Sequence, residues 1–147
     1  MKTVLQPFKA SIWLSMLLWS VMLAGLSTGV TSCVSARFDQ TALENANMLG
    51  EKLPALMEKA IKPFKDNETE VNALTKSLND AYDRANATKK NQEVAEQWRL
   101  VRDDMVKPFM DRWKEKGKLD KDFIKAAAVQ VKDSLAAIAR AEKAKPR

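Results

Sequence analysis

The side chains that usually perform chemistry in proteins are scarce in this chain. It has no histidine and a single cysteine, Cys33. Zinc, haem and iron–sulfur sites depend largely on these two residue types, as do histidine acid–base catalysis and most nucleophilic triads. Asp103-Asp104 and Asp120/Asp122 bring carboxylates together, but their spacing does not demand a catalytic pair. We therefore predict a protein that is not an enzyme and has no metal site and no cofactor.

A second group of residues has the composition of a recognition patch. Trp98 and Trp113 occur close in sequence to Arg99, Arg102 and Arg112, and guanidinium groups bind aromatic faces through cation–π contacts. These five residues are the predicted candidates for binding a partner protein. The alternative is that both tryptophans lie on the buried stripe of one helix and fill the core.

The first 36 residues have the pattern of an export signal. Lys2 and Lys9 precede an uncharged run over residues 10–36, whose centre is strongly apolar. A basic start, an apolar stretch of about 7–15 residues and small residues before a cleavage point define a secretory signal. Two alternatives stay open: a plain signal cleaved after Ala36, and an uncleaved spanning helix, which needs about 20 apolar residues. Glycine, serine and threonine dilute the second half of the run and disfavour the spanning helix.

Val30-Thr31-Ser32-Cys33, near the end of this run, resembles the lipobox of bacterial lipoprotein precursors. The resemblance covers the signal and the cysteine. It implies that the thiol of Cys33 is acylated with fatty acids such as palmitate and that the signal is cut off before it. Two or three acyl chains anchor a protein durably, whereas one holds it only marginally. Val34 follows the cysteine where aspartate retains many such proteins in the inner membrane, which implies the outer membrane, facing the periplasm.

The chain then divides into a signal peptide over residues 1–32, a lipidated tether over 33–38 and a helical domain over 39–147. Charge is uneven after the signal. Residues 33–105 carry 11 basic and 13 acidic side chains, whereas residues 106–147 carry 12 and 6. A basic segment indicates either an anionic partner or a solvated, lysine-rich helix face with no partner. Because the chain carries an export signal, we expect phospholipid, lipopolysaccharide or peptidoglycan rather than nucleic acid.

Apolar residues recur every three or four positions in four stretches of the domain, which predicts amphipathic helices. The predicted helices cover residues 40–64, 68–87, 92–116 and 121–144. We expect a break or bend near Gly50 and Pro54 and a kink at Pro108, because proline removes a backbone donor. Asn67 has the context of an N-cap, and Gly117 that of a helix end.

Four helices with short connections predict an all-α fold, an antiparallel four-helix bundle in up-down-up-down order. The alternative fold is an elongated helical hairpin in which neighbouring segments fuse. The predicted function is a non-enzymatic binding or accessory module for an envelope protein, held at the membrane by its lipid anchor. The alternative function is a structural tether that contacts peptidoglycan or lipopolysaccharide through its basic C-terminal third.

Overall fold

The computed structural model describes residues 36–147, and these residues form four helices and no strand. Helix α1 is Gln40–Glu58, α2 is Glu68–Ala87 and α4 is Lys121–Lys143. Helix α3 covers residues 92–116 as three consecutive segments, an α-helical Gln92–Arg99, a π-helical Leu100–Val106 and an α-helical Lys107–Lys116. Two short 3₁₀ turns, Lys59–Ile61 and Phe64–Asn67, connect α1 to α2. The all-helical class predicted from the sequence is confirmed for this part of the chain.

Side chains at the helix ends explain where most helices begin and stop. Asp39 and Asp120 each accept hydrogen bonds from backbone N–H groups two and three residues later, at 2.9–3.2 Å. These bonds satisfy donors that the first turn of a helix leaves free. Gly117 ends α3 with φ +75°, a conformation that favours glycine. Asn67 precedes α2 as expected, but its side chain donates to the carbonyl of Pro63 (3.3 Å) and caps nothing.

Helix α1 ends at Glu58, before the predicted end at residue 64, and the helical backbone is interrupted at Lys62 and Pro63, not at the predicted position near Gly50 and Pro54. Helix α1 runs through both of those residues without interruption. Leu53 and Leu56, on either side of Pro54, are fully buried, so core packing holds the helix where one backbone donor is missing. Lys62 is exposed and extended (φ −105°, ψ 165°), the conformation that a following proline favours.

Helix α3 accommodates Pro108 by widening. The π-helical turn Leu100–Val106 ends two residues before Pro108, and the helix continues to Lys116. A proline nitrogen cannot donate to the carbonyl four residues earlier, and π-helical turns are one way in which a helix absorbs such an irregularity. The predicted kink position is thus the place where the hydrogen-bond pattern of α3 changes.

One continuous apolar core lies between the four helices. Helix α1 packs most extensively on α4, and further contacts join α1 to α2, α2 to α3 and α3 to α4. The carbonyl of Ala60 accepts from the N–H of Leu119 (2.8 Å), which ties the α1–α2 connection to the α3–α4 connection. The largest fully buried apolar side chains come from all four helices: Leu49, Leu53, Leu56, Met57, Leu78, Trp98, Trp113, Leu135 and Ile138.

Candidate functional site

Cys33, the predicted lipidation site, lies outside the residues that the structure describes, and its acylation stays a prediction. The described chain begins at Ala36, which is buried and donates from its N–H to the carbonyl of Lys90 (3.3 Å). The N–H of Phe38 donates to the carbonyl of Pro146 (2.9 Å). The last part of the predicted tether, residues 36–38, is therefore fixed against the α2–α3 connection and against the residues after α4.

An ionic cluster, here called the terminal clasp, joins the same three regions through Asp39, Arg84, Asn91, Glu142 and Lys145. The side chains of Glu142 and Lys145 are only 1% and 8% exposed, and they pair at 2.5 Å. Lys145 also donates to Asn91 (2.7 Å), and Glu142 accepts from the N–H of Asp39 (2.6 Å). A buried charge is tolerated when it is paired and hydrogen-bonded in this way. The clasp therefore has a structural role, since its buried charges bind one another.

The exposed part of the clasp is the pair between Asp39 and Arg84. Arg84 donates two hydrogen bonds to the carboxylate, at 2.6 and 3.0 Å. These bonds favour the charged form of the acid, so they hold the pKa of Asp39 below its ordinary value, helped by the backbone N–H groups that it caps. Asp39 thus caps α1 and attaches it to α2.

Both tryptophans of the predicted recognition patch lie in the core. Trp98 is 1% exposed and Trp113 is fully buried. The indole N–H of Trp113 donates to the carbonyl of Lys62 (2.9 Å), and its ring meets the edge of Phe64 with 5.3 Å between centroids. The indole N–H of Trp98 has no acceptor among the described residues. These positions match the packing interpretation, because the indole rings are not available at the surface.

The three arginines of the same group each bind a neighbour. Arg99 pairs with Glu96 (2.8 Å) and Arg102 with Asp103 (2.8 Å). The hydrogen bonds of these pairs lower the pKa of both carboxyls and keep them charged. The guanidinium of Arg102 also covers the Tyr82 ring, 3.8 Å from its centroid. Arg112 lies over Phe123, at 4.6 Å. The structure does not gather the five residues into one aromatic and basic surface.

An open groove of about 720 Å³ lies between α1 and α4. Gly50, Pro54 and Ala55 of α1 and Ile124 and Ala128 of α4 are among the residues that line it. Small side chains leave space between two helices that pack closely elsewhere. Two apolar side chains that the core does not use, Ile61 (44% exposed) and Val129 (52% exposed), also line it. The α1–α4 groove therefore offers apolar contact to a second molecule.

The two walls of the α1–α4 groove carry opposite charges. Glu51 and Glu58, two helical turns apart, lie on the α1 wall, and Lys121, Lys125 and Lys132 lie on the α4 wall. All five side chains are exposed, and none forms an ion pair with another described residue. An acidic wall and a basic wall along an apolar groove select the charge pattern and the direction of a bound helix.

A smaller concavity of about 380 Å³ lies between α2 and α3. Arg102, Asp103, Lys107 and Asp111 line it, but they pair with each other in sequence order, Arg102 with Asp103 and Lys107 with Asp111. Because these charges are already compensated, this concavity is a weaker candidate than the α1–α4 groove.

The sequence contained a signal for the α1–α4 groove that the helical periodicity obscured. Ile61 and Val129 are apolar residues that lie off the predicted core stripes; Ile61 is in the 3₁₀ turn that follows α1, and Val129 is in α4. Glu142 gave no such signal, since a glutamate near the end of a lysine-rich helix has the appearance of a solvated residue.

Other kinds of site are not evident in the described part of the chain. Among residues 36–147, no three carboxylate, thiol or imidazole side chains are grouped so as to hold a metal ion. Within the same residues, no helix has both the length and the hydropathy needed to cross a membrane. Comparison with protein families, with curated proteins and with solved structures gave no match for this chain.

Proposed function

We propose that the chain is a periplasmic lipoprotein, anchored at Cys33 in the outer membrane, whose helical domain binds an amphipathic helix of another envelope protein in the α1–α4 groove. It acts as a binding or accessory module and not as an enzyme. The observation that carries the proposal is the open apolar groove with one acidic and one basic wall.

The proposed arrangement of the domain is an antiparallel four-helix bundle in up-down-up-down order. Short connections support it, since only residues 88–91 separate α2 from α3 and residues 117–120 separate α3 from α4. Helices joined so closely pack as antiparallel neighbours. The contacts of α1 with both α2 and α4 would close the ring of four helices.

The chemistry of the α1–α4 groove specifies its occupant. Residues 121–132 of α4 extend about 17 Å, so a partner helix of roughly three turns covers the groove. Its apolar stripe would contact Ile61 and Val129 at the exposed rim. Basic residues on one flank would face Glu51 and Glu58, and acidic residues on the other would face the lysines of α4. Such an apolar face with two charged flanks is the usual form of helix-in-groove recognition.

Site-specific crosslinking in intact cells tests the groove. A photo-crosslinking amino acid at Val129 should form an adduct with one protein of defined mass. The same group at Lys76, an exposed residue of α2, is the matched control and should not. Glu51→Lys combined with Glu58→Lys, which reverses the charge of the acidic wall, should reduce the Val129 adduct at least about tenfold, as a loss of about 1.4 kcal/mol would.

Three outcomes contradict this use of the groove. They are the absence of any adduct at native abundance, an equal adduct at Lys76, and an adduct whose mass is that of two copies of this chain. The last would assign the groove to self-association instead.

The anchor is tested separately. Cys33→Ala should abolish incorporation of radioactive palmitate and release the chain from the membrane fraction, because the thiol that carries the acyl chains is gone. Palmitate that persists on Cys33→Ala would contradict acylation at this residue. An unlabelled wild-type chain of reduced length would instead indicate a plain cleaved signal.

A further inference from the structure

We propose a second contact surface, at the end of the domain where the described chain begins: a basic surface that lies against anionic phospholipid headgroups. This surface, here called the basic end, consists of Arg37, Lys89, Lys90, Lys143 and Arg147. The proposal that this surface lies against a membrane rests on the proposed anchor at Cys33. The positive charge of the surface is independent of that anchor.

Backbone contacts bring the three regions that carry these residues to one end of the molecule. Ala36 is hydrogen-bonded to Lys90, and Phe38 to Pro146. The guanidinium of Arg147 lies over the Phe38 ring, 5.3 Å from its centroid. Residues adjacent in space thus come from the start of the domain, the α2–α3 connection and the segment after α4.

The positive charge of the basic end is not neutralised by ion pairs with described residues. All five of its side chains are exposed, and none forms an ion pair with a described residue. No aspartate or glutamate precedes Asp39 in the chain. Asp39 and Glu142, the acids of the terminal clasp, are already paired with Arg84 and Lys145. Glu44, Asp83 and Glu93, near the ends of α1, α2 and α3 at this side of the domain, add exposed negative charge, three acids against five cations.

The length of the tether places the basic end close to a bilayer. Three residue steps separate Cys33 from Ala36, and an extended chain of that length covers at most about 11 Å. Electrostatic attraction acts over about 8 Å at physiological salt. Each basic residue held near an anionic surface contributes roughly a fivefold gain in membrane partitioning. The anchor would therefore hold the basic end at a distance from the bilayer over which anionic headgroups attract its positive charges.

The opposite end of the domain supplies an internal control. Exposed Lys62, Lys65 and Lys118 lie in the α1–α2 and α3–α4 connections. Helix α1 has 19 residues and separates the two ends by about 28 Å. That distance exceeds three screening lengths, so these lysines should not sense a membrane that the basic end contacts.

The test uses the full chain produced and processed in a bacterial host, purified in detergent and reconstituted into vesicles. The vesicles contain either phosphatidylcholine alone or a mixture with about one third phosphatidylglycerol. A membrane-impermeant amine reagent then labels lysines, and mass spectrometry measures the rate at each. We expect Lys89, Lys90 and Lys143 to react about fivefold more slowly on anionic vesicles, with no change at the three control lysines. Added salt at 0.5 M should remove the protection.

Charge reversal completes the test. Arg37→Glu, Lys89→Glu and Lys143→Glu together should abolish the protection of Lys90, which is left unchanged because its backbone has φ +63°. Lys62→Glu, Lys65→Glu and Lys118→Glu, the matched reversal at the opposite end, should leave the protection of Lys90 intact. Equal labelling at both ends on anionic vesicles would overturn the proposal.

Flotation with the neutral vesicles separates the two proposals. If the chain does not float with phosphatidylcholine vesicles, it carries no lipid anchor. That result contradicts the proposed anchor at Cys33 and leaves the basic end to be judged separately. The basic end is judged in that case on anionic vesicles alone, where salt-sensitive flotation supports it and the absence of flotation overturns it. Equal protection by neutral and by anionic vesicles would mean that the tether, and not charge, shields this end.

Discussion

Single residues of the terminal clasp determine how the start of α1 is held. Asp39 caps the helix with one carboxylate and uses the same group to bind Arg84 of α2. A cap alone would order the first turn of α1, whereas a cap that also binds a distant arginine fixes that turn within the domain. The aspartate was not singled out by the sequence, because Arg84 is 45 positions away and only the folded chain brings the two together.

The Asp39–Arg84 pair predicts a pH-dependent stability. The pKa of Asp39 is lower in the folded chain than in the unfolded chain, so the pair stabilises the folded state at neutral pH. Arg84→Met should reduce the free energy of unfolding by about 0.5–1 kcal/mol at pH 7. The difference from wild type should shrink as the pH falls below about 4, where the carboxyl of the unfolded chain takes up its proton.

Urea unfolding followed by circular dichroism between pH 2.5 and 7 measures this dependence. Lys76→Met is a suitable control. Lys76 pairs with Asp80 on the exposed face of α2 and is not part of the terminal clasp. A destabilisation by Arg84→Met that stays constant down to pH 2.5 would exclude the ion pair as its cause.

At the scale of the helices, two glycines have opposite roles. Gly50 lies inside α1, and a methyl group there would meet the Cβ of Leu135 at 3.5 Å, an ordinary contact. Gly117 ends α3 with φ +75°. Gly50→Ala should therefore stabilise the protein by about 0.5–1 kcal/mol through helix propensity. Gly117→Ala should destabilise it by about 1–3 kcal/mol through backbone strain.

Thermal unfolding of the two variants measures both effects with the same chemical change. The two variants are controls for each other, because both add one methyl group: at Gly50 inside a helix and in contact with Leu135, and at Gly117 in open space but with φ +75°. A loss of stability in Gly50→Ala would mean that α1 and α4 cannot accept the contact with Leu135 without moving apart.

The helices themselves were largely predictable from the sequence. The predicted second helix, residues 68–87, coincides with α2, and the fourth differs from α4 by one residue at its end. Leu74, Leu78 and their neighbours recur at helical spacing and face one core, so a local pattern contains most of the information. Gly117 marked the end of α3 for the same reason, because its conformational preference is local.

The irregularities of the helices were only partly predictable, because tertiary packing decides several of them. Pro54 lies inside a continuous helix, whereas Pro63 marks a break, although both remove a backbone donor. Buried leucines surround the first proline, and an exposed lysine precedes the second. The unused capping potential of Asn67 likewise depends on neighbours that the local sequence does not specify, whereas the irregularity of α3 lies next to Pro108, where the sequence predicted a kink.

At the scale of the whole molecule, the terminal clasp joins regions that are far apart in the chain. Glu142 accepts from the backbone of Asp39, 103 positions earlier, and Lys145 reaches Asn91. A pattern search along the sequence cannot identify such a cluster, because a buried glutamate and an exposed one have the same sequence context. The α1–α4 groove was missed for a related reason, since the small residues that line it come from two distant helices.

The clasp predicts a non-additive mutational effect. Lys145→Met leaves the buried carboxylate of Glu142 without its counter-charge and should cost about 3–5 kcal/mol. Glu142→Gln combined with Lys145→Met removes both charges while an amide oxygen remains to accept from Asp39. The double variant should therefore be more stable than Lys145→Met alone. Urea unfolding of the two single variants, the double variant and wild type measures the coupling energy, and strictly additive effects would contradict a buried ion pair.

The extensive packing of α1 against α4 has a consequence for the order in which the chain acquires its structure. Because α1 is the first and α4 the last of the described helices along the chain, a chain that emerges from its N-terminal side, at the ribosome or in the proposed export, lacks the main apolar partner of α1 until α4 has followed. Helix α2 can cover only part of the apolar stripe of α1 in that interval, and the rest stays uncovered or is held by another protein. Folding of the domain therefore cannot be completed by its N-terminal helices alone. It is completed only when α4 is available to pack on α1.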